Sequence, residues 1–387
     1  MAAVHLLVGT KKGAWVYTAD EARRQWTVSK PMMPGWTVAH LTVDTRRETP
    51  RLLAGGSHWA WGPIVARSDD GGATWDQRSP GLAFSADFGE TVGSVWNVRP
   101  GLASQPGVVY AGTQPAGLFR STDWGETWAA VEQVNRHAYR QFWGPSGGGA
   151  SALHSIELHP ADEACIYISI ATGGSYVTRD GGKTWELCSH RAIPTNPMAK
   201  QMQAEFAEKY PQFADFGPPV PPNVDPAAAN EMHKMRLDVS APDRIWGQTH
   251  IGVFRSDDAA QTWHDVTVGL PSFHGFPIAV SRNGNGAAYV VPLAFEADNF
   301  RVCPGQLTVY RTRDGGASWE PLTAGLPGPH DYQSVYREGM DTDGLPSEGV
   351  YVGTSNGEVY ASNDAGDHWQ RLPGTLPPIL SVAAAIY

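Results

Sequence analysis

Ser68-Asp69-Asp70-Gly71-Gly72-Ala73-Thr74-Trp75 is the stretch on which the reading of this chain turns. Its pattern, Ser/Thr-x-Asp-x-Gly-x-x-Trp, returns at residues 121–128, 178–185, 256–263, 312–319 and 362–369, with Ala260 in place of the glycine in the fourth copy. The residue types describe a hairpin turn. The Asp carboxylate can accept backbone N–H bonds across it, Gly supplies a positive φ, and Trp packs between sheets. Groups spread evenly along a repeat cannot converge on one reacting atom, so the boxes are read as fold elements rather than catalytic residues.

Working outward, each box follows a two-strand phrase such as Val109-Tyr110-Ala111-Gly112-Thr113 then Gly117-Leu118-Phe119-Arg120. One further strand precedes each pair, near residues 41–44, 95–98, 156–159, 235–239, 278–280, 336–340 and 380–384. That makes seven inner strands against six complete boxes. The last has no partner downstream, whereas residues 6–10, 14–18 and 26–28 form strands with a decayed box and no inner strand. The expected fold is all-β, a seven-bladed β-propeller of Asp-box repeats spanning 1–387 as one domain. Pairing of the N- and C-terminal strands closes it and leaves no open sheet edge.

Composition agrees: 43 Gly, 30 Pro and 15 Trp with 18% charged residues suit many short strands joined by tight turns around an aromatic interior. A net charge of −10 without a Lys/Arg cluster argues against nucleic acid or an anionic membrane as partner. Cys165, Cys188 and Cys303 are odd in number and lack metal-ligand spacing, and residues 5–12 lack the features of a secretory signal. A cytoplasmic protein is expected.

The boxes resemble the Asp-box, or BNR, repeat of sialidases, of some other glycoside hydrolases and of many non-enzymatic propellers, within the wider WD40/YVTN/BNR-like superfamily. Sialidases with these boxes are similar in using an Arg triad, a Tyr paired with Glu, and an acidic residue. This chain lacks a Phe-Arg-Ile-Pro motif near its first blade and counts seven blades rather than six, so no sialidase catalytic residue carries over to it.

Topology then assigns the loops to faces. Boxes are third-to-outer turns and mark a plain face. Long segments fall on the other: 83–94, 132–153 with its Gly147-Gly148-Gly149 run, 58–63, 292–305 and above all 188–232, read as a helix near 198–209 followed by a Pro-rich stretch over 211–226. That insertion is either a lid or a loop packed on the rim. Long loops gathered on one face of a regular scaffold make a binding or catalytic site.

The chemistry on that face is a set of scattered groups that only the ring can gather. His40, His154, His233, His274 and His330 lie at inner-strand entries, and His58 and His250 in second-to-third links. Of these His40, His58, His233, His250 and His274 are the candidate ligands of a divalent Zn, Mn or Fe ion, although scattered histidines also serve as turn caps. Arg236 and Arg337, with Arg301 in a long loop, can hold a carboxylate, sulfate or phosphate, or pair with neighbouring acids. Glu90, Glu231, His154 and Tyr336 are the candidate catalytic groups, with Asp331, Tyr332 and Glu338 nearby, and Trp59, Trp61 and Trp143 can stack on a sugar ring. Two functions remain open: a hydrolase or lyase acting on a carbohydrate-like or anionic small substrate, with or without a metal, and a non-catalytic binding or assembly platform.

Overall fold

The computed structural model describes residues 3–145, 149–189, 192–209, 224–225, 230–295 and 301–387. Among them, seven antiparallel sheets follow one another around a ring, as the inner-strand count requires. The first blade joins the two ends of the chain. Its inner strand is Ile379–Ile386, paired to Val4–Thr10, followed by Gly13–Ala19 and Thr27–Val28. The other inner strands are Thr37–Asp44, Ser94–Pro100, Leu153–Leu158, Met232–Leu237, Gly275–Val280 and Met340–Thr342, opening blades two to seven. The seventh starts four residues later than the sequence suggests, so residues 336–339 enter as irregular backbone. Blade two reduces its outer strand to a bridge between Arg67 and Asp76.

The boxes hold the outer hairpins by one repeated bond set. In all six, the Asp Oδ1 accepts from the hydroxyl two residues before at 2.7–2.9 Å and from the N–H four residues after at 2.8–3.0 Å. The Ser or Thr oxygen in turn accepts from the N–H of the box Gly, or of Ala260, at 2.8–2.9 Å. Ala260 adopts φ 65° where the other copies use glycine. Between the sheets lie apolar clusters that each draw on two adjacent blades, such as Val95, Val109 and Phe119 with Leu53 and Val65. No blade buries its own faces, so the stack is what excludes water.

The helix near 198–209 forms as Pro197–Lys209. Its first turn is fixed to the rim: Asp265 Oδ2 accepts from Thr195 N at 2.7 Å, Asn196 N at 2.9 Å and Asn196 Nδ2 at 2.8 Å, while Asn196 Oδ1 caps Ala199 N at 2.8 Å. This portion of the insertion packs on the rim. The Pro-rich stretch, apart from residues 224 and 225, and Gly147-Gly148 lie outside the described residues. Cys165, Cys188 and Cys303 are buried and free. No described helix is long and apolar enough to cross a membrane.

Candidate functional site

Six inner strands break register at the same place. One residue is bulged out between Val38 and His40, Val95 and Asn97, Leu153 and Ser155, Met232 and Lys234, and Ile379 and Ser381, and a longer irregularity separates Gly275 from Ile278. A bulge adds a residue to one strand and re-aims its side chain. The residues so treated are Ala39, Trp96, His154, His233, Leu380 and Phe276 with Pro277. Five of these positions, Ala39, Trp96, His154, Phe276 and Leu380, line one cavity of ≈ 640 Å³ at the channel mouth. The irregular entry to blade seven adds Tyr336, Arg337 and Glu338, and the loops add Lys11, Glu231 and Arg301.

Beneath the mouth the channel is closed by charge. The residue after the bulge is polar in five blades: His40, Asn97, Ser155, Lys234 and Ser381, all but His40 buried. Lys234 Nζ donates to Glu338 Oε1, and Arg236 donates to Glu157 at 2.7 Å while lying 3.6 Å from Glu338 Oε2. His40 Nε2 lies 3.7 Å from Glu338. Burial alone would raise the Glu338 carboxyl, but Lys234 and Arg236 outweigh it and hold the group at about 2. Burial lowers Lys234 to about 8 against the pull of its partner, and lowers His40 to about 4. A second cavity of ≈ 140 Å³ opens on the far side, lined by His40, Arg99, Glu157 and Arg236.

On the wall of the mouth stands a compact group. Glu231 Oε1 is 3.2 Å from His233 Nε2 and accepts from Arg337 Nη2 at 3.1 Å, and Oε2 is 3.2 Å from His250 Nδ1. The two imidazoles meet at 3.4 Å, and His233 Nδ1 lies 2.5 Å from the Gly275 carbonyl oxygen. His274 completes the aromatic packing, its ring 5.1 Å from His233 and 4.9 Å from His250. Burial would raise Glu231, but His233 and His250 and their hydrogen bonds outweigh it, so the carboxylate is held well below its ordinary range. Burial also drops His154 well below its usual value and His274 to about 2, so both rings are neutral near pH 7.

Of the residues singled out in the sequence, His154, Glu231, Tyr336 and Arg337 therefore meet in the mouth, with His233, His250 and His274 packed beside it. His40 and Arg236 do not join them, because the strand alternation turns them to the charged layer and the far cavity. His58 accepts from Ala60 N at 3.1 Å in a rim turn, beside Trp59 and Trp61, which are 94% and 76% exposed. Glu90 pairs with Arg140 at 2.5 Å, and Trp143 donates to the Tyr176 hydroxyl at 2.9 Å. None of His58, Trp59, Trp61, Glu90 and Trp143 lines the mouth. Trp96, Phe276 and Lys234 were not anticipated. Aligning the inner strands blade by blade would have marked all three positions, since each falls at or just after the shared bulge.

Comparison with known proteins agrees with the fold. The BNR/Asp-box repeat family matches at residues 176–187. The oligoxyloglucan-reducing end-specific xyloglucanase of Emericella nidulans is 24% identical over 276 residues, 66% of this chain and 30% of that protein. A sialidase of Bacteroides fragilis is 26% identical over 169 residues, 36% of this chain and 30% of the relative. This chain thus spans under a third of the length of either relative. The crystal structure of an ancestral GH74 enzyme superposes with a TM-score of 0.55 at 14% identity, covering 86% of this chain and 38% of that one, a likeness of fold. With six boxes bonded alike, seven blades and these relatives, the chain is a BNR-type, Asp-box β-propeller.

Proposed function

We propose that the channel mouth is the active site of a hydrolase acting on a carbohydrate that carries negative charge. The observation that carries this reading is the convergence of five bulged positions with Glu231, Arg337 and Tyr336 on one cavity of ≈ 640 Å³, a volume suited to a small ligand. Trp96 and Phe276 supply apolar faces for a sugar ring, and the Arg337 guanidinium supplies the fork for a carboxylate. Glu231 is ionised and anchored by Arg337 and the two histidines, so it serves as a fixed negative charge that stabilises positive charge developing on the sugar, beside the Tyr336 hydroxyl. His154 is neutral, and its buried Nε2 has no hydrogen-bond partner among the described residues, which suits it to a substrate hydroxyl. Relatives named as a xyloglucanase and a sialidase support carbohydrate hydrolysis as the class.

The test is release of new reducing ends from a panel of neutral, uronate-bearing and sialate-bearing oligosaccharides, with wild type, Glu231→Gln and Trp96→Ala compared. Cleavage of an acidic glycan that either variant loses supports the reading. A panel left wholly intact rejects it. Binding without cleavage would favour the platform function, for which the exposed Trp59 and Trp61 on the rim are the motivating feature.

A further inference from the structure

We infer that Glu231, His233 and His250 bind one divalent transition-metal ion, zinc by its ligand set, on the wall of the channel mouth. This deepens the proposed function and rests on the same cavity being the working site. One ligand atom from each of the three residues lies within 4.8 Å of the other two. The closest approaches are 3.2 Å from Glu231 to His233, 3.2 Å from Glu231 to His250 and 3.4 Å between the imidazoles. A tetrahedral ion with bonds of about 2.0–2.1 Å keeps its ligands about 3.3 Å apart, the spacing of His250 Nδ1 from Glu231 Oε2 and from His233 Nε2; His233 faces the other carboxylate oxygen, so a turn of the carboxylate completes the set.

Hydrogen positions point the same way. His233 Nδ1 lies 2.5 Å from the Gly275 carbonyl oxygen, so Nδ1 carries the proton and donates it there. Nε2 of the neutral ring then presents a lone pair to the group. His250 Nδ1 faces both Glu231 Oε2 and His233 Nε2 and can donate to only one of them at a time. The remaining contact, His233 Nε2 to Glu231 Oε1 at 3.2 Å, sets a lone pair against a carboxylate oxygen. A cation among the three removes that opposition, and a backbone carbonyl orienting a histidine from behind is the usual support of a metal ligand.

Two imidazoles and one carboxylate form the mixed nitrogen and oxygen set that zinc accepts, and three protein ligands leave a fourth position for water or substrate. Glu231 lines the cavity, which supplies room for that fourth ligand. Arg337 occupies Oε1 at 3.1 Å and leaves Oε2 for the ion. Together with a divalent charge it makes the spot electropositive, so the fourth ligand is an anionic oxygen, a hydroxide or the carboxylate of an acidic sugar.

The experiment measures metal without any substrate. The full chain, stripped with a chelator and checked for folding by circular dichroism, is incubated with zinc, desalted and assayed for bound metal. A parallel sample takes cobalt for its visible spectrum. One equivalent of zinc per chain and an intense tetrahedral cobalt spectrum are expected, both lost in His250→Ala and in Glu231→Gln, and both kept in the rim variant His58→Ala. A folded wild type that retains no zinc overturns the site. So does zinc retained unchanged by His250→Ala and Glu231→Gln. Zinc bound as expected with no glycan cleaved would uphold the metal site while removing the hydrolase.

Discussion

The box face and the channel mouth are built from the same seven blades by opposite means. In a box every polar contact of the Asp is made within four residues of chain, as in Asp123 with Ser121 and Thr127, and the pattern repeats six times. At the mouth and just beneath it the contacts join distant segments: Arg337 to Glu231 across 106 residues and Lys234 to Glu338 across 104, and no such contact recurs from blade to blade. Local, repeated bonding secures a hairpin cheaply at each position. Long-range, unrepeated bonding can place different groups around one point, which chemistry requires.

If the mouth holds the chemistry and the boxes hold the fold, Glu231→Gln should separate the two most sharply. Turnover per folded molecule, measured well below the melting temperature, is expected to fall by about 10²–10³-fold, the usual cost of removing one preorganised electrostatic group. Equal loss in folding and turnover would mean that Glu231 is a structural residue.

The charged layer beneath the mouth belongs to the fold despite its titratable groups, and Lys234→Met tests that assignment. Removing one partner of a buried pair leaves Glu338 with the more distant Arg236 and His40 as its remaining ion-pair neighbours among the described residues and should cost about 3–5 kcal/mol in denaturant unfolding. Adding Glu338→Gln should recover part of that loss, because the uncompensated charge goes with it. A single variant as stable as wild type would show that the layer is solvated rather than closed.

Asp123→Ala should cost less, about 1–3 kcal/mol, since it loses hydrogen bonds at a partly exposed turn and strands no buried charge. Turnover per folded molecule should be unchanged. A loss of turnover at unchanged melting temperature would move function to the box face and collapse the comparison.

The same contrast explains what was legible in the sequence. The boxes, the seven inner strands and the ring closure could be read because each is a local pattern that recurs, or a count that must close. His154, Glu231 and Arg337 could be gathered because inner-strand entries must meet at the channel. The direction of each side chain could not be read. It depends on the bulge, and one residue of slip exchanges the face of everything after it, which is how Arg236 and His40 come to lie below the mouth and Trp96 and Phe276 come to line it. Glu90, Trp59, Trp61 and Trp143 sit on loops whose reach toward the axis no periodicity records.

The smallest effect expected is at a single box in acid. Asp314 is held at about 2, first by the hydroxyl of Ser318, then by the Ser318 N–H and by Thr312. Its folded value lies below the ordinary 3.8, so the folded state favours the carboxylate and this contribution to stability is complete above that value. It disappears as pH falls from about 4 through 2, where both states bind the proton. Ser318→Ala removes the leading cause. The variant should melt slightly below wild type at pH 7, the gap should close as the pH approaches 2, and the Asp314 carboxyl should titrate nearer 3.8 by NMR. Turnover should not respond. A gap that persists unchanged at pH 2 would show that the Ser318 hydroxyl stabilises the turn through something other than the Asp314 carboxylate, and the local bond set would then need a further member.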